Sequence, residues 1–262
     1  TSESHILLLD GQELEGAKQN RVLNTTILVY PKSELSVPVS CTEQGRWASV
    51  SASFRDSDRI MFGRARVKKM SQVHQSLKYG GGYQSNQQEV WQDISTLQRK
   101  RKARSATSAM KDIYDSEKEN LDNFLNNFTP LEGQRGIIVG LGGKVAGFEY
   151  LSSSDCYLDV HNQLVASYTM DALDETFSGV RQELSIEESQ RFLEHLWSAT
   201  QDTYPSVAAG NDVRLESEFL IGSALVEKEE LIHLSAFSRQ IGKKHYPNRI
   251  AGYRYRNRGQ KR

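Results

Sequence analysis

The sequence predicts a single α+β domain. Three observations carry that class. Short β-branched runs crowd the first third, helical spacing of apolar residues takes over in the middle, and alternating strands return after residue 130. The expected parts are a β-rich, sandwich- or barrel-like stretch over 1–70, a helical stretch over 84–129, a mixed hairpin, helix and strand stretch over 130–240, and a basic tail over 241–262. Helices set between two strand-rich portions suggest that the terminal parts share a sheet.

"HILLLD" is a short continuous apolar run, the pattern of a strand covered on both faces. "RVLNTTILVY" and "SELSVPVS" read as strands separated by a turn at Pro31, and "WASVSASF" alternates. "RIMFGRARV" reads as a further strand. After the flexible "YGGGYQSN", Val90, Trp91, Ile94 and Leu97 fall on one helical face. Met110, Ile113, Tyr114, Leu121, Phe124, Leu125 and Phe128 continue that spacing until Pro130 and Gly133 break it.

"RGIIVGLGGKVAGFEYL" is expected to be a hairpin that turns at Gly142 and Gly143. It is not a phosphate loop, because Val145 follows Lys144 where the Walker pattern needs a hydroxyl. A helix is expected from about Ser154, with Val160, Leu164, Val165 and Tyr168 inward. Ser185 and Glu188 form a capping box for a helix that buries Phe192, Leu193, Leu196 and Trp197. "DVRLESE", "FLIGSALV" and "ELIHLSAF" close the pattern as strands.

Lys plus Arg and Asp plus Glu balance at 33 each, so no global field draws the chain to nucleic acid or membrane. No apolar run approaches bilayer-spanning length, and no segment reads as a signal peptide. Only Cys41 and Cys156 occur, without metal-ligand spacing, which points to a reducing, cytoplasmic setting. The chain opens without Met and almost directly into a strand, as the C-terminal part of a longer protein would. Cys41 and His233 are expected in packing roles rather than as a thiol–imidazole pair.

Two regions compete as binding surfaces. The first is the charged stretch Asp10–Arg21, read as a turn between strands, together with Cys41–Trp47. Alternate turns of a meander share one end of the sheet, so the two segments can face each other. Asp10, Glu13 and Glu43 are the candidate catalytic carboxylates. Lys18, Gln19, Asn20, Arg21, Arg46 and Trp47 are the candidate ligand-binding residues. Solvated turns of no function are the plain alternative. The second region comprises the basic runs "RARVKK" and "RKRKAR" and the Tyr/Arg-rich tail, which suit nucleic acid.

"ILLLDGQELEGAKQNRVLNTTILV", "VPVSCTEQGRW", "QQEVWQDI", "SATSAM", "GQRGIIVGLGGKVAGFE", "ASYTMDALD" and "LIHLSAF" together resemble the ARG and Rhodanese-Phosphatase-superfamily-associated Protein domain family. The likeness covers nearly the whole chain, and departs from the family at "SSSDCYLDVHNQL", where a more apolar, tryptophan-containing helix start is expected. Members of the family carry further N-terminal sequence. The family name implies association with ADP-ribosylglycohydrolase-like proteins. It suggests a phosphorylated or nucleotide-like small-molecule ligand, ADP-ribose- or NAD-related, that is bound or processed. A non-catalytic scaffold for partner enzymes is the remaining reading.

Overall fold

The computed structural model describes residues 2–173 and 182–241. Six short strands come first: β1 (Ile6–Leu8), β2 (Gln12–Gly16), β3 (Arg21–Leu23), β4 (Ile27–Val29), β5 (Val39–Cys41) and β6 (Phe54–Ile60). Four helices follow: α1 (Gly63–Lys78), α2 (Gln87–Arg101), α3 (Met110–Ser116) and α4 (Lys118–Asn127). Then come β7 (Gly136–Leu141), β8 (Lys144–Leu151), α5 (Ser154–Ala172), α6 (Ile186–Trp197), β9 (Thr200–Pro205), β10 (Asn211–Glu216), β11 (Leu220–Glu227) and β12 (Glu230–Ser238). Every pairing is antiparallel, so the fold is α+β.

The terminal parts do not share a sheet, contrary to expectation. β7-β8-β12-β11-β10-β9 form one six-stranded sheet, while the first strands form a four-stranded sheet, β5-β3-β2-β6, and a two-stranded ribbon, β1-β4. Two of the expected early strands are largely irregular. "SELSVPVS" pairs only from Val39, after Pro38, which has no N–H to give to a ladder. "WASVSASF" reaches strand only at Phe54. Its serines bond their own backbone instead, Ser49 Oγ to Ser51 O (2.8 Å) and Ser51 Oγ to Ser53 O (2.7 Å).

The larger correction is at "RIMFGRARV", where the strand stops at Ile60 and α1 starts at Gly63. No local side chain caps this helix. The carboxylate of Asp171, near the end of α5, accepts the Arg64 N–H at 3.1 Å. A Cβ at Gly63 would lie 2.8 Å from that same carboxylate. The cap thus comes from a distant helix, beyond the reach of a local sequence pattern. α2, α5 and α6 follow local rules, with Asn86, Ser153 and Ser185 capping their first N–H groups. Trp197 is exposed (73%), so the buried face of α6 rests on Phe192 and Leu196.

The six-stranded sheet has two unlike faces. One packs apolar side chains under α6: Phe192 and Leu196 meet Leu215, Ala224, Leu234 and Ala236. The opposite face carries a polar row in register, Glu149, Ser235, Ser223, Arg214 and Asp202, running from β8 to β9. α1 reaches both ends of this row. Arg66 Nη1 donates to Glu149 Oε1 at 2.6 Å, and His74 Nε2 lies 3.2 Å from Asp202 Oδ2.

The row is tied to the N-terminal strands by buried ionic groups. Arg66, Lys69, Asp10, Glu149 and His233 are all buried. Lys69 Nζ donates to the Asp10 carboxylate and to Leu23 O (2.7 Å), while Arg66 Nε lies 3.8 Å from Asp10 Oδ2. Tyr168 OH donates to Glu149 at 3.0 Å. Thr26 Oγ1 accepts the Asp10 N–H and lies 2.8 Å from His233 Nδ1, whose Nε2 faces Glu149 at 3.6 Å. Burial pushes the Glu149 carboxyl up, but Arg66 and His233 outweigh it and hold it below the usual range. Burial lowers the Lys69 ammonium against the opposing pull of Asp10. Gly11 makes room for the cluster: its φ is +84°, and a Cβ there would lie 2.8 Å from Arg66 Nε.

Arg66→Ala leaves Glu149 buried without its cation and should cost about 3–5 kcal/mol of unfolding free energy. The double variant Arg66→Met, Glu149→Leu should lose much less, because it removes both charges. Urea unfolding of both proteins is the check.

Candidate functional site

β2 and β3 form a hairpin in the four-stranded sheet, with Arg21 opposite Leu14 and Val22 opposite Glu13. The stretch Asp10–Arg21 is therefore not one polar turn. Its middle is strand, and only residues 17–20 form the bend. The charges on it find separate partners. Asp10 points into the buried cluster with Lys69 and Arg66. Glu13 is fully buried and accepts from Thr42 Oγ1 (2.5 Å) and Ser57 Oγ (3.1 Å). Glu15, two residues further along the strand and half-buried, pairs with Lys111 at 2.5 Å.

The bend does meet the Cys41–Trp47 segment. Arg46 Nη1 donates to Ala17 O (2.8 Å), Arg46 Nη2 to Asn20 Oδ1 (3.0 Å) and Arg46 Nε to Glu43 Oε2 (2.8 Å). Glu43 also accepts from Thr107 Oγ1 (2.7 Å) and the Asn20 N–H (3.3 Å). Burial raises the Glu43 carboxyl, but Arg46, Thr107 and the Asn20 amide together bring it below the ordinary value. Asn20 and Glu43 are buried and Arg46 half-buried, so these three brace the two loops. Thr107 was not foreseen as a member. It arrives through backbone pairing, Gly45 N–H to Thr107 O (2.8 Å) and Met110 N–H to Thr42 O (3.0 Å). The quoted run "SATSAM" contained it without revealing its contact.

Other groups face outward. Lys18 is exposed and Trp47 is 69% exposed. Arg21 is half-buried and donates to Gln19 Oε1 at 3.0 Å, with no carboxylate on its guanidinium among the described residues. Gln19 is itself buried, and its Nε2 has no acceptor. Cys41 stands opposite Arg21 in the β3–β5 ladder, and the Gln87 amide brackets its backbone, accepting its N–H at 2.7 Å and donating to its carbonyl at 2.8 Å. Gln87 is a second member that the sequence did not single out. Burial pushes the Cys41 thiol up despite Arg21, and His233 is engaged elsewhere, so the two form no thiolate–imidazolium pair.

Half of the basic run "RARVKK" is turned into the protein. Arg66 and Lys69 are buried, Arg64 lies 3.5 Å from Asp171, and Lys68 pairs with Asp93. In "RKRKAR", Arg101 bonds Glu117 at 2.8 Å and the Leu173 carbonyl. The expected basic tail lies outside the described residues apart from Ile241. Among the described residues, no group of three or more His, Cys, Asp or Glu side chains is arranged to hold a metal ion, and no helix is long and apolar enough to cross a membrane.

An α+β domain with a braced hairpin and loop, presenting donors outward, is the class that fold and geometry define. The chain belongs to the ARG and Rhodanese-Phosphatase-superfamily-associated Protein domain family, whose model matches residues 1–237. Among curated proteins and among solved structures, nothing matches the chain.

Burial raises Glu13 from 4.5 to about 7 against the hydrogen bonds from Thr42 and Ser57. The fold therefore favours the neutral carboxyl. Its contribution is complete below pH 4.5 and is lost as pH rises through about 7. Relative to Glu13→Gln, which stays neutral, the wild type should lose about 3 kcal/mol over that window. Urea unfolding of both proteins at about pH 5 and about pH 8 measures the difference.

Proposed function

We propose that the domain binds a phosphorylated, nucleotide-like small molecule at the β2–β3 bend and the loop that follows β5. ADP-ribose- and NAD-related compounds are the class that the family name suggests. One observation supports this reading above the others: the bend holds cations and an amide N–H that no carboxylate neutralises among the described residues. Arg21 bonds only the neutral Gln19 amide oxygen there, the N–H of that buried amide has no acceptor, and Lys18 is exposed on the same bend. Such a set suits a phosphate, whose oxygens only accept. Trp47 offers an exposed ring on which a base can stack. The Arg46–Glu43–Asn20 brace fixes the bend, so little ordering is left to oppose binding.

The reading is of binding rather than turnover. Asp10, Glu13 and Glu43, the carboxylates suited to general-base work, are buried and engaged with internal partners. None is presented toward Lys18 or Trp47 as a free base.

Thermal unfolding with inorganic phosphate, AMP, ADP-ribose and NAD tests the proposal. A ligand at 100 times its dissociation constant should stabilise the protein by about 2.7 kcal/mol, a rise in Tm of several degrees for a chain of this size. Lys18→Ala with Arg21→Ala should remove the response to every phosphate. Trp47→Ala should remove only the preference for nucleotides over inorganic phosphate. No shift with any of the four at millimolar concentration would overturn the proposal.

A further inference from the structure

A second concavity lies on the opposite side of the six-stranded sheet, between α6, the β7–β8 turn and the β10–β11 turn. Its volume is about 180 Å³. At ~30 Å³ per water, that is room for about six waters or one small ring with a polar substituent. Phe192, His195 and Phe219 line it. The His195 and Phe219 rings stack at 4.1 Å with 22° between their planes, which makes a flat apolar wall. Phe219 is 48% exposed, so this wall is open to a ligand.

The rim carries the charges. Lys144 Nζ and Arg191 Nη1 each lie 3.3 Å from a single oxygen, Glu188 Oε2. Among the described residues, the two cations thus share one carboxylate oxygen. Both cations are well exposed, at 59% and 62%, and contacts of this length in solvent hold weakly. They can turn to another anion at small cost, Arg191 with the two-pronged geometry that a carboxylate fits. The "GLGGK" turn acquires a role here. With Gly142 at φ +60° and Gly143 at φ +75°, it reverses the chain and sets Lys144 at the head of β8, on the cleft rim.

We infer that this cleft is a binding site for a compact organic monoanion, a carboxylate on a flat apolar body, held by Lys144 and Arg191 and stacked against the His195–Phe219 wall. Glu188 is the resident competitor for the same two cations. The site is separate from the β2–β3 bend and does not depend on it.

Benzoate is the probe, titrated into the whole chain with backbone amide NMR shifts as the readout. The expected result is saturable shifts confined to α6 and the two turns, with a millimolar dissociation constant, and weaker binding of acetate, which has no ring. Arg191→Ala and Lys144→Ala should each weaken benzoate several-fold. Glu188→Gln should tighten it several-fold by freeing both cations. The pair Lys18→Ala, Arg21→Ala should leave it unchanged, which keeps this site's outcome apart from that of the nucleotide site. Absence of saturable shifts up to about 10 mM, a range that reaches interactions of only a few kcal/mol, would overturn the inference. So would a Glu188→Gln protein that binds benzoate no better than wild type.

Discussion

The ion pair between Arg66 and Glu149 is the constraint around which the molecule is arranged. Both groups are withdrawn from water, and neither could remain charged there alone. Glu149 sits at the β8 end of the polar row on the large sheet, Arg66 on the helix that crosses it, and Asp10 and Lys69 extend the pairing to the first strands. The three parts meet through directional contacts between ionic groups as well as through apolar burial. Register is correspondingly strict: a one-residue slip of β8 would turn Glu149 to the α6 face, where only apolar side chains wait.

The same economy shapes the candidate site. Three acids there look available in the sequence, yet each has a partner supplied by another element: Lys69 from α1, Thr42 from the loop after β5, Thr107 from the segment before α3. Among the described residues, what is left on the bend without a carboxylate partner is cationic or amide: Lys18, Arg21 and the Gln19 N–H. Chemistry at this surface is therefore set by subtraction, by what the fold leaves over once its acids are matched.

Much of the fold was legible because local rules govern it. The β7–β8 hairpin, α2, α5, the Ser185 cap and the last three strands all follow from period, turn glycines and caps. What escaped prediction depends on distant partners. α1 begins where Asp171, 107 positions away, supplies its cap, so "RIMFGRARV" shows no start signal of its own. The burial of Arg66 and Lys69 rests on Glu149 and Asp10, and composition alone made that run look like a solvated basic patch. Within the site, the 17–20 bend does meet the Cys41–Trp47 segment, but through direct β3–β5 pairing rather than as alternate turns of a meander. The separate fates of Asp10, Glu13 and Glu43 were not readable, because their partners Lys69, Thr42 and Thr107 come from other elements.

The Thr26–His233 contact joins residues 207 positions apart, and Thr25 reaches Asp212 across 187. Strands early in this sequence are thus completed by strands some two hundred positions later. Until β10 and β12 are in place, Asp10, Thr25 and Thr26 have only part of their final surroundings. Closing loops of that length is slow. A fragment that ends after α4 would therefore hold its first strands without the six-stranded sheet to which Thr25 and Thr26 bond.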